Sequence, residues 1–158
     1  MDTKNFFDSL RRRAEADVGV AATLRRSLSE EPGSYAPSFC IVEPFTSRLS
    51  ERSRHMVYLA AALWGVTHRR EQGPPVDLVD ALRRTAQRRD SGSVERRFVA
   101  LLDADGDELV WRLRRVVQLV ASDGIALDWP KLLDDLLGWH HPERRVQERW
   151  ARQYWRIH

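Results

Sequence analysis

The chain has 158 residues, enough for one domain or two small ones, and 42% of them are hydrophobic, enough for a packed core that needs no staples. Its formal net charge is +3, and the excess is local: residues 41–92 carry nine basic and six acidic groups, whereas residues 1–40 and 93–158 are balanced. A single cysteine, Cys40, excludes an internal disulfide, no Cys/His spacing resembles a zinc site, and the longest apolar run, residues 56–66, is far shorter than the roughly 20 residues that span a bilayer. The opening MDTKNFFDSLRRR lacks the order of a signal peptide, so the expectation is a soluble protein of the reducing cytoplasm with no membrane partner. Such a charge balance suits a protein that meets nucleic acid along a patch inside an assembly better than one that coats it unaided. Arginine outnumbers lysine 24 to 2. Its guanidinium fork matches phosphate oxygens, although a GC-rich genome produces the same bias.

Asp2 or Thr3 caps a first helix through about Asp17, with Phe6, Phe7, Leu10 and Ala14 on one face. Gly19 marks a break. A short helix then turns Ala21, Leu24 and Leu28 inward, which leaves Arg26 opposite the apolar face and Arg25 at its border. Three prolines and a glycine make residues 29–44 a substantial loop, anchored by Phe39, Ile41, Val42 and Phe45; a short edge strand at residues 39–42 is the competing reading. From Ser50 a long helix begins, most apolar between Met56 and Val66, and it should be the central buried helix of the first half. Residues 71–75, EQGPP, stop it, and Val76, Val79, Leu82 and Ala86 set another amphipathic helix.

Residues 90–93, DSGS, form the next break and place a domain boundary between residues 92 and 93, with Ser93 as N-cap. Val94, Phe98, Leu101 and Leu102 make the following apolar stripe, with Arg96 opposite it and Arg97 on the flank. Beyond residues 104–107, ADGD, a helix capped by Asp107 runs to about Ser122 and buries Leu109, Leu113, Val116, Val117 and Val120. Arg115 lies across from that stripe, Arg114 at its edge, and Trp111 on the polar side one turn from Arg115. A tryptophan so placed is more often an intramolecular or subunit contact than a base-stacking platform. After Asp123-Gly124, Asp128 caps a helix with Pro130 in its first turn and Leu132, Leu133, Leu136, Leu137 and Trp139 recurring at helical spacing. A last helix from about Pro142 sets Val146, Trp150, Gln153 and Tyr154 on one face. Arg145, Arg149, Arg152 and Arg156 stack along another as a cationic rail, partly neutralised by Glu143 and Glu148. The reading is an all-α protein of two lobes: a helical N-terminal lobe, residues 1–92, and a four-helix bundle, residues 93–158.

Catalytic chemistry is missing. His140 and His141 point apart on a loop, and His55 and His68 share no carboxylate at ligand spacing. Asp103, Asp105 and Asp107 lack the glutamate and length of a calcium loop, and Asp134-Asp135 makes no better metal site. With no phosphate-cradling glycine loop and no nucleophile elbow, neither an enzyme, a metal nor a cofactor is expected.

Leu24-Arg25-Arg26, Phe39-x-x-Val42-x-Pro44-Phe45, Arg54-His55, Glu95-Arg96-Arg97-Phe98, Leu113-Arg114-Arg115, Asp128-Trp129-Pro130 and the LLDDLLGW run at residues 132–139 resemble, in order and spacing, the motifs of the CasB family, the small subunit of the type I-E CRISPR Cascade complex. The resemblance covers most of the chain. It implies a non-catalytic, two-lobed helical protein, present as a pair of copies beside the other Cascade subunits. Such a protein helps to hold the target strand near the guide RNA–DNA hybrid, and the displaced strand of the R-loop, by contacts to backbone. Carried over by motif, the nucleic-acid-binding residues are Arg25, Arg26, Arg54, Arg96, Arg97, Arg114 and Arg115, with Arg144, Arg145 and Arg149 interchangeable beyond Trp139. The chain departs from the pattern at Asp103 and Gly106, where basic residues would extend the track. Two other readings compete: a helical protein–protein adaptor with no nucleic-acid contact, and a helix-turn-helix reader, which lacks a short helix pair with small polar residues for a major groove.

Overall fold

The structure is a computed structural model and describes residues 1–156. It is all-α, with one very small sheet. In chain order the elements are α1 (Thr3–Ala16), α2 (Val18–Ser27), α3 (Phe39–Val42), α4 (Glu51–Thr67), β1 (Gln72–Val76), α5 (Leu78–Arg88), α6 (Ser91–Leu102), α7 (Gly106–Ser122), β2 (Ile125–Leu127), α8 (Trp129–Leu137) and α9 (Arg145–Tyr154). They group into two compact units. The first comprises Met1–Arg69 and Trp129–Leu137; the second comprises Arg70–Asp128 and the chain from Gly138 onward.

In the first unit α4 packs on α2 and α8, and α1 packs on α2 and α8. Phe6, Phe7 and Leu10 of α1, Leu24 of α2, Leu63 and Trp64 of α4, and Trp129 and Leu133 of α8 are all buried. Phe7 lies 5.9 Å from Trp129 between ring centroids, and the Thr3 hydroxyl donates to Asp134 Oδ1 at 2.9 Å. The break expected at Gly19 falls instead at Asp17. That residue is extended (φ −147°, ψ 110°), its N–H closes α1 on Arg13, and its carboxylate accepts from the Gly19 N–H. One side-chain cap therefore outweighs the weak helix propensity of glycine, which sits inside α2. Residues 29–44 are not wholly loop, and no strand forms there: Ala36–Ser38 and Glu43–Phe45 are 3₁₀ turns flanking α3. Of the four expected anchors Ile41 and Val42 are buried, Phe45 is half-buried edge-on to Phe6, and Phe39 is exposed, edge-on to Tyr58.

The second unit holds two strands that the sequence reading did not anticipate. β1 and β2 pair in parallel, with Gln72 opposite Ile125 and Val76 opposite Leu127. Pro74 and Pro75 donate no N–H, which a two-stranded sheet tolerates because each strand has a free edge. Helices α5 and α7 pack on β2, and α5 packs in turn against α6, α7 and α9, with α6 against α7. The expected bundle of residues 93–158 would take α8 as a member, but α8 belongs to the first unit, and α5 is the fourth helix of the second. The boundary expected at residues 92/93 lies within α6. Asp90, not Ser93, caps that helix by accepting from the Gly92 and Ser93 N–H groups. Asp107 is not a cap either; it lies in the first turn of α7, where negative charge complements the helix dipole. Trp139 and Trp150 meet edge to face at 5.2 Å, and the Trp139 indole N–H donates to the Ala104 carbonyl at 2.9 Å. The last helix begins at Arg145, three residues later than the start expected at about Pro142.

Candidate nucleic-acid interface

In the first unit Arg25 and Arg26 end α2, and both are exposed, so the expected border position of Arg25 still reaches solvent. Their helix is fixed from beneath. A Cβ added to Gly65 of α4 would lie 2.9 Å from Leu24 Cβ and 3.2 Å from both the Ala21 carbonyl oxygen and the Arg25 backbone nitrogen, so only glycine permits this approach. Nearby, His68 stacks on Trp64 at 4.2 Å, and burial holds its imidazole below the usual histidine range. Arg54 differs from its neighbours on the candidate track. Its Nε is buried, 3.9 Å from Glu43 Oε1. The same carboxylate accepts from Thr46 Oγ1 at 2.8 Å and from Tyr58 Oη at 3.0 Å, and these hydrogen bonds, with Thr46 foremost, depress its pKa against the opposing effect of burial. Burial and the bond to Glu43 push the Tyr58 phenol up. Tyr58 thus ties the 3₁₀ turn at Glu43 to α4, and Arg54 stands beside the same carboxylate as a partly exposed counterion.

In the second unit the stripes of α6 and α7 pack together and turn their flanks into a common cleft of about 290 Å³. Arg96 and Arg97 enter it from α6, Arg112, Arg115 and Trp111 from α7, and no carboxylate is among its lining residues. Arg115 Cζ lies 4.7 Å from the Trp111 ring centroid, and Arg112 pairs with Glu108 one turn earlier. Trp111 is 53% exposed, so the polar-side phase read from the sequence holds. A larger neighbouring cleft, about 820 Å³, shares Arg96 and Arg112 and adds Arg144. There Glu95, Asp103 and Glu108 match the three arginines in number, and Val99 and Trp155 supply exposed apolar surface.

The remaining candidates are separated from this convergence. Arg114 is half-buried on α7 and lines neither cleft. Arg144 holds a left-handed backbone (φ 52°, ψ 41°), which costs a residue with a Cβ roughly 1–2 kcal/mol. Its guanidinium donates to the Leu102 carbonyl at the C-terminus of α6, an end that favours a cation. Arg145 pairs with Glu143 and Arg152 with Glu148, while Arg149 is exposed on the same helix. The rail is real as an exposed face, but acidic neighbours neutralise two of its members. Sequence reasoning missed the joint contribution of Arg112 and Trp111 to the α6–α7 cleft. The signal available was the i, i+4 spacing of Trp111 and Arg115; which helix faced them depended on packing.

Among the described residues no group of three or more His, Cys, Asp or Glu side chains is placed to hold a metal ion, and no helix is long and apolar enough to cross a membrane. A model of the family described as CRISPR-associated protein Cse2 matches residues 20–155. A CRISPR-associated protein Cse2 from Thermus thermophilus is 43% identical over 96% of this chain and 89% of its own length. The crystal structure of CasB from Thermus thermophilus is similar with a TM-score of 0.84 at 40% identity, covering 97% of each chain. A chain of a CRISPR RNA-guided surveillance complex shares the fold with a TM-score of 0.85 at 20% identity, over 97% of this chain and 91% of that one. With the family match spanning residues 20–155 and so reaching both compact units, and with a relative 43% identical over 96% of this chain, the chain belongs to the CRISPR-associated Cse2 family, the family of CasB.

Proposed function

We propose that the chain is the non-catalytic small subunit of a type I-E CRISPR Cascade complex in the cytoplasm, and that it steadies the R-loop by holding target DNA and the displaced strand through arginine contacts to phosphate. The observation that carries this reading is the α6–α7 cleft, where Arg96, Arg97 and Arg115 converge without a carboxylate among the lining residues. Guanidinium forks in that setting have no internal anion to satisfy and suit phosphate oxygens. Arg25 and Arg26, exposed near the end of α2 in the first unit, offer a contact of their own. Membership of the Cse2 family and the fold shared with a surveillance-complex chain support a place beside other Cascade subunits, with a second copy of this chain and the guide RNA–DNA hybrid as neighbours.

The test is reconstitution. A complex assembled from the other subunits without a small subunit is expected to take up this chain and then retain target DNA more tightly. The purified chain, incubated with DNA or RNA with and without divalent metal, leaves both intact. Failure to incorporate, or metal-dependent cleavage that persists through stringent purification, would contradict the proposal.

A further inference from the structure

We propose that the α6–α7 cleft is a subsite for one unpaired nucleotide of single-stranded DNA, its base stacked on Trp111 and its phosphate held by Arg97 and Arg115 with Arg96 beside them. This rests on the nucleic-acid reading above and specifies what that cleft takes.

Trp64, Trp129, Trp139 and Trp150 are at most 2% exposed, and Trp155, 44% exposed, packs on Phe98 and Tyr154, whereas Trp111 leaves 53% of its surface in solvent with Arg115 over its ring. An indole is a large apolar plate, and leaving it uncovered forgoes the largest burial gain any side chain offers. Arg115 lies over the ring at 4.7 Å, a cation–π contact that holds both groups in one place. Of the four arginines lining the cleft, Arg112 is occupied by Glu108, while Arg96, Arg97 and Arg115 form no ion pair with a described carboxylate. The lining therefore joins a flat aromatic surface to two arginines, Arg97 and Arg115, that face no carboxylate, with Arg96 at the border of the neighbouring cleft, within about 290 Å³, near the lower size limit of small-molecule pockets. A nucleotide joins the complementary pair, a planar base and an anionic phosphate, at fixed separation. Duplex DNA hides its base faces in the stack, so the shelf is open only to an unpaired nucleotide, and stacking of this kind tolerates any base.

The probes are short single-stranded oligothymidylate, a duplex of equal length and inorganic polyphosphate, each bound to the full chain at low ionic strength. Trp111→Ala is expected to weaken oligothymidylate binding about five-fold or more, as loss of one stacked base does. Polyphosphate and duplex binding stay unchanged, and Trp111→Phe recovers most of the loss. Combining Arg97→Ala with Arg115→Ala weakens all three. Equal loss for oligothymidylate and polyphosphate in Trp111→Ala would overturn the proposal, because the indole would then only prop Arg115. Unchanged oligothymidylate binding in Trp111→Ala would also overturn it and leave Trp111 as a protein contact, with the nucleic-acid reading intact. A wild-type chain that binds none of the three probes would overturn the subsite, while the reading of the assembled complex is tested separately by reconstitution.

Discussion

The tryptophans separate most cleanly at the scale of single residues. Trp150 is buried edge-on to Trp139, so Trp150→Ala is expected to lower unfolding free energy by about 3–5 kcal/mol in chemical denaturation. Trp139→Ala costs at least as much, since it also orphans the Ala104 carbonyl. Trp111→Ala should shift stability by no more than about 0.5 kcal/mol, as exposed substitutions do. Equal losses in all three would contradict the helical phase assigned to α7. That phase was legible in the sequence because 100° per residue puts Trp111 with Arg115, away from Leu109, Leu113 and Val116. Phe39 was not legible, because an aromatic residue in a proline-rich segment gives no period from which to read its direction. Asp123, at the end of α7, supplies a pH test. Its carboxylate accepts from Arg89 at 2.8 Å, and that bond holds its pKa below the usual aspartate value against the effect of burial. A depressed folded-state pKa contributes stability that is complete above the unfolded value, near 3.9, and is lost as pH falls through the folded one. Asp123→Asn should therefore melt earlier than wild type at pH 7, and the gap should close below about pH 4; a gap that persists in acid would show that the pair contributes nothing through its charge.

At the scale of elements, α2 carries Arg25 and Arg26 only because Gly65 lets it approach α4. Alanine is the better helix former by about 1 kcal/mol, yet its Cβ would meet backbone atoms of α2 at 3.2 Å. Gly65→Ala is thus expected to destabilise by about 1–3 kcal/mol, the usual cost of overpacking, in urea unfolding; a stabilised variant would show that α2 can give way freely. Helices with a long single stripe, α4 above all, could be read from sequence because burial and period agree. The sheet could not. EQGPP at residues 71–75 reads as punctuation, and the three residues of β2 are too short to show alternation, so their pairing depends on a partner more than 45 residues away. The same holds for α8. Its stripe of Trp129, Leu132, Leu133 and Leu136 states that one face is buried, but the choice between α1 with α4 and the helices of residues 93–158 is made by tertiary packing.

At the scale of the whole molecule, the net charge of +3 is too small to drive DNA binding by itself, and the outcome turns on where the arginines are left unpaired. The sequence supplies the candidates, and the fold sorts them. Arg54 is engaged with Glu43, Arg144 caps α6 and Arg145 meets Glu143, whereas Arg26, Arg97 and Arg115 have no described carboxylate in an ion pair. Such sorting is invisible in sequence because Glu43 and Leu102 reach their arginines through the fold. Phosphate contact leaves a signature that surface ion pairing does not, since each neutralised phosphate on a single strand releases counterions and adds about 0.7 to the slope of log K against log salt. The most direct measurement is that slope for the assembled complex on target DNA, for wild type and for the combination of Arg26→Ala, Arg97→Ala and Arg115→Ala. The variant should assemble normally, bind more weakly for every target sequence with its matched guide, and show a slope lower in magnitude by roughly two. Normal assembly with unchanged affinity and unchanged slope would contradict the account and leave the chain a protein–protein adaptor.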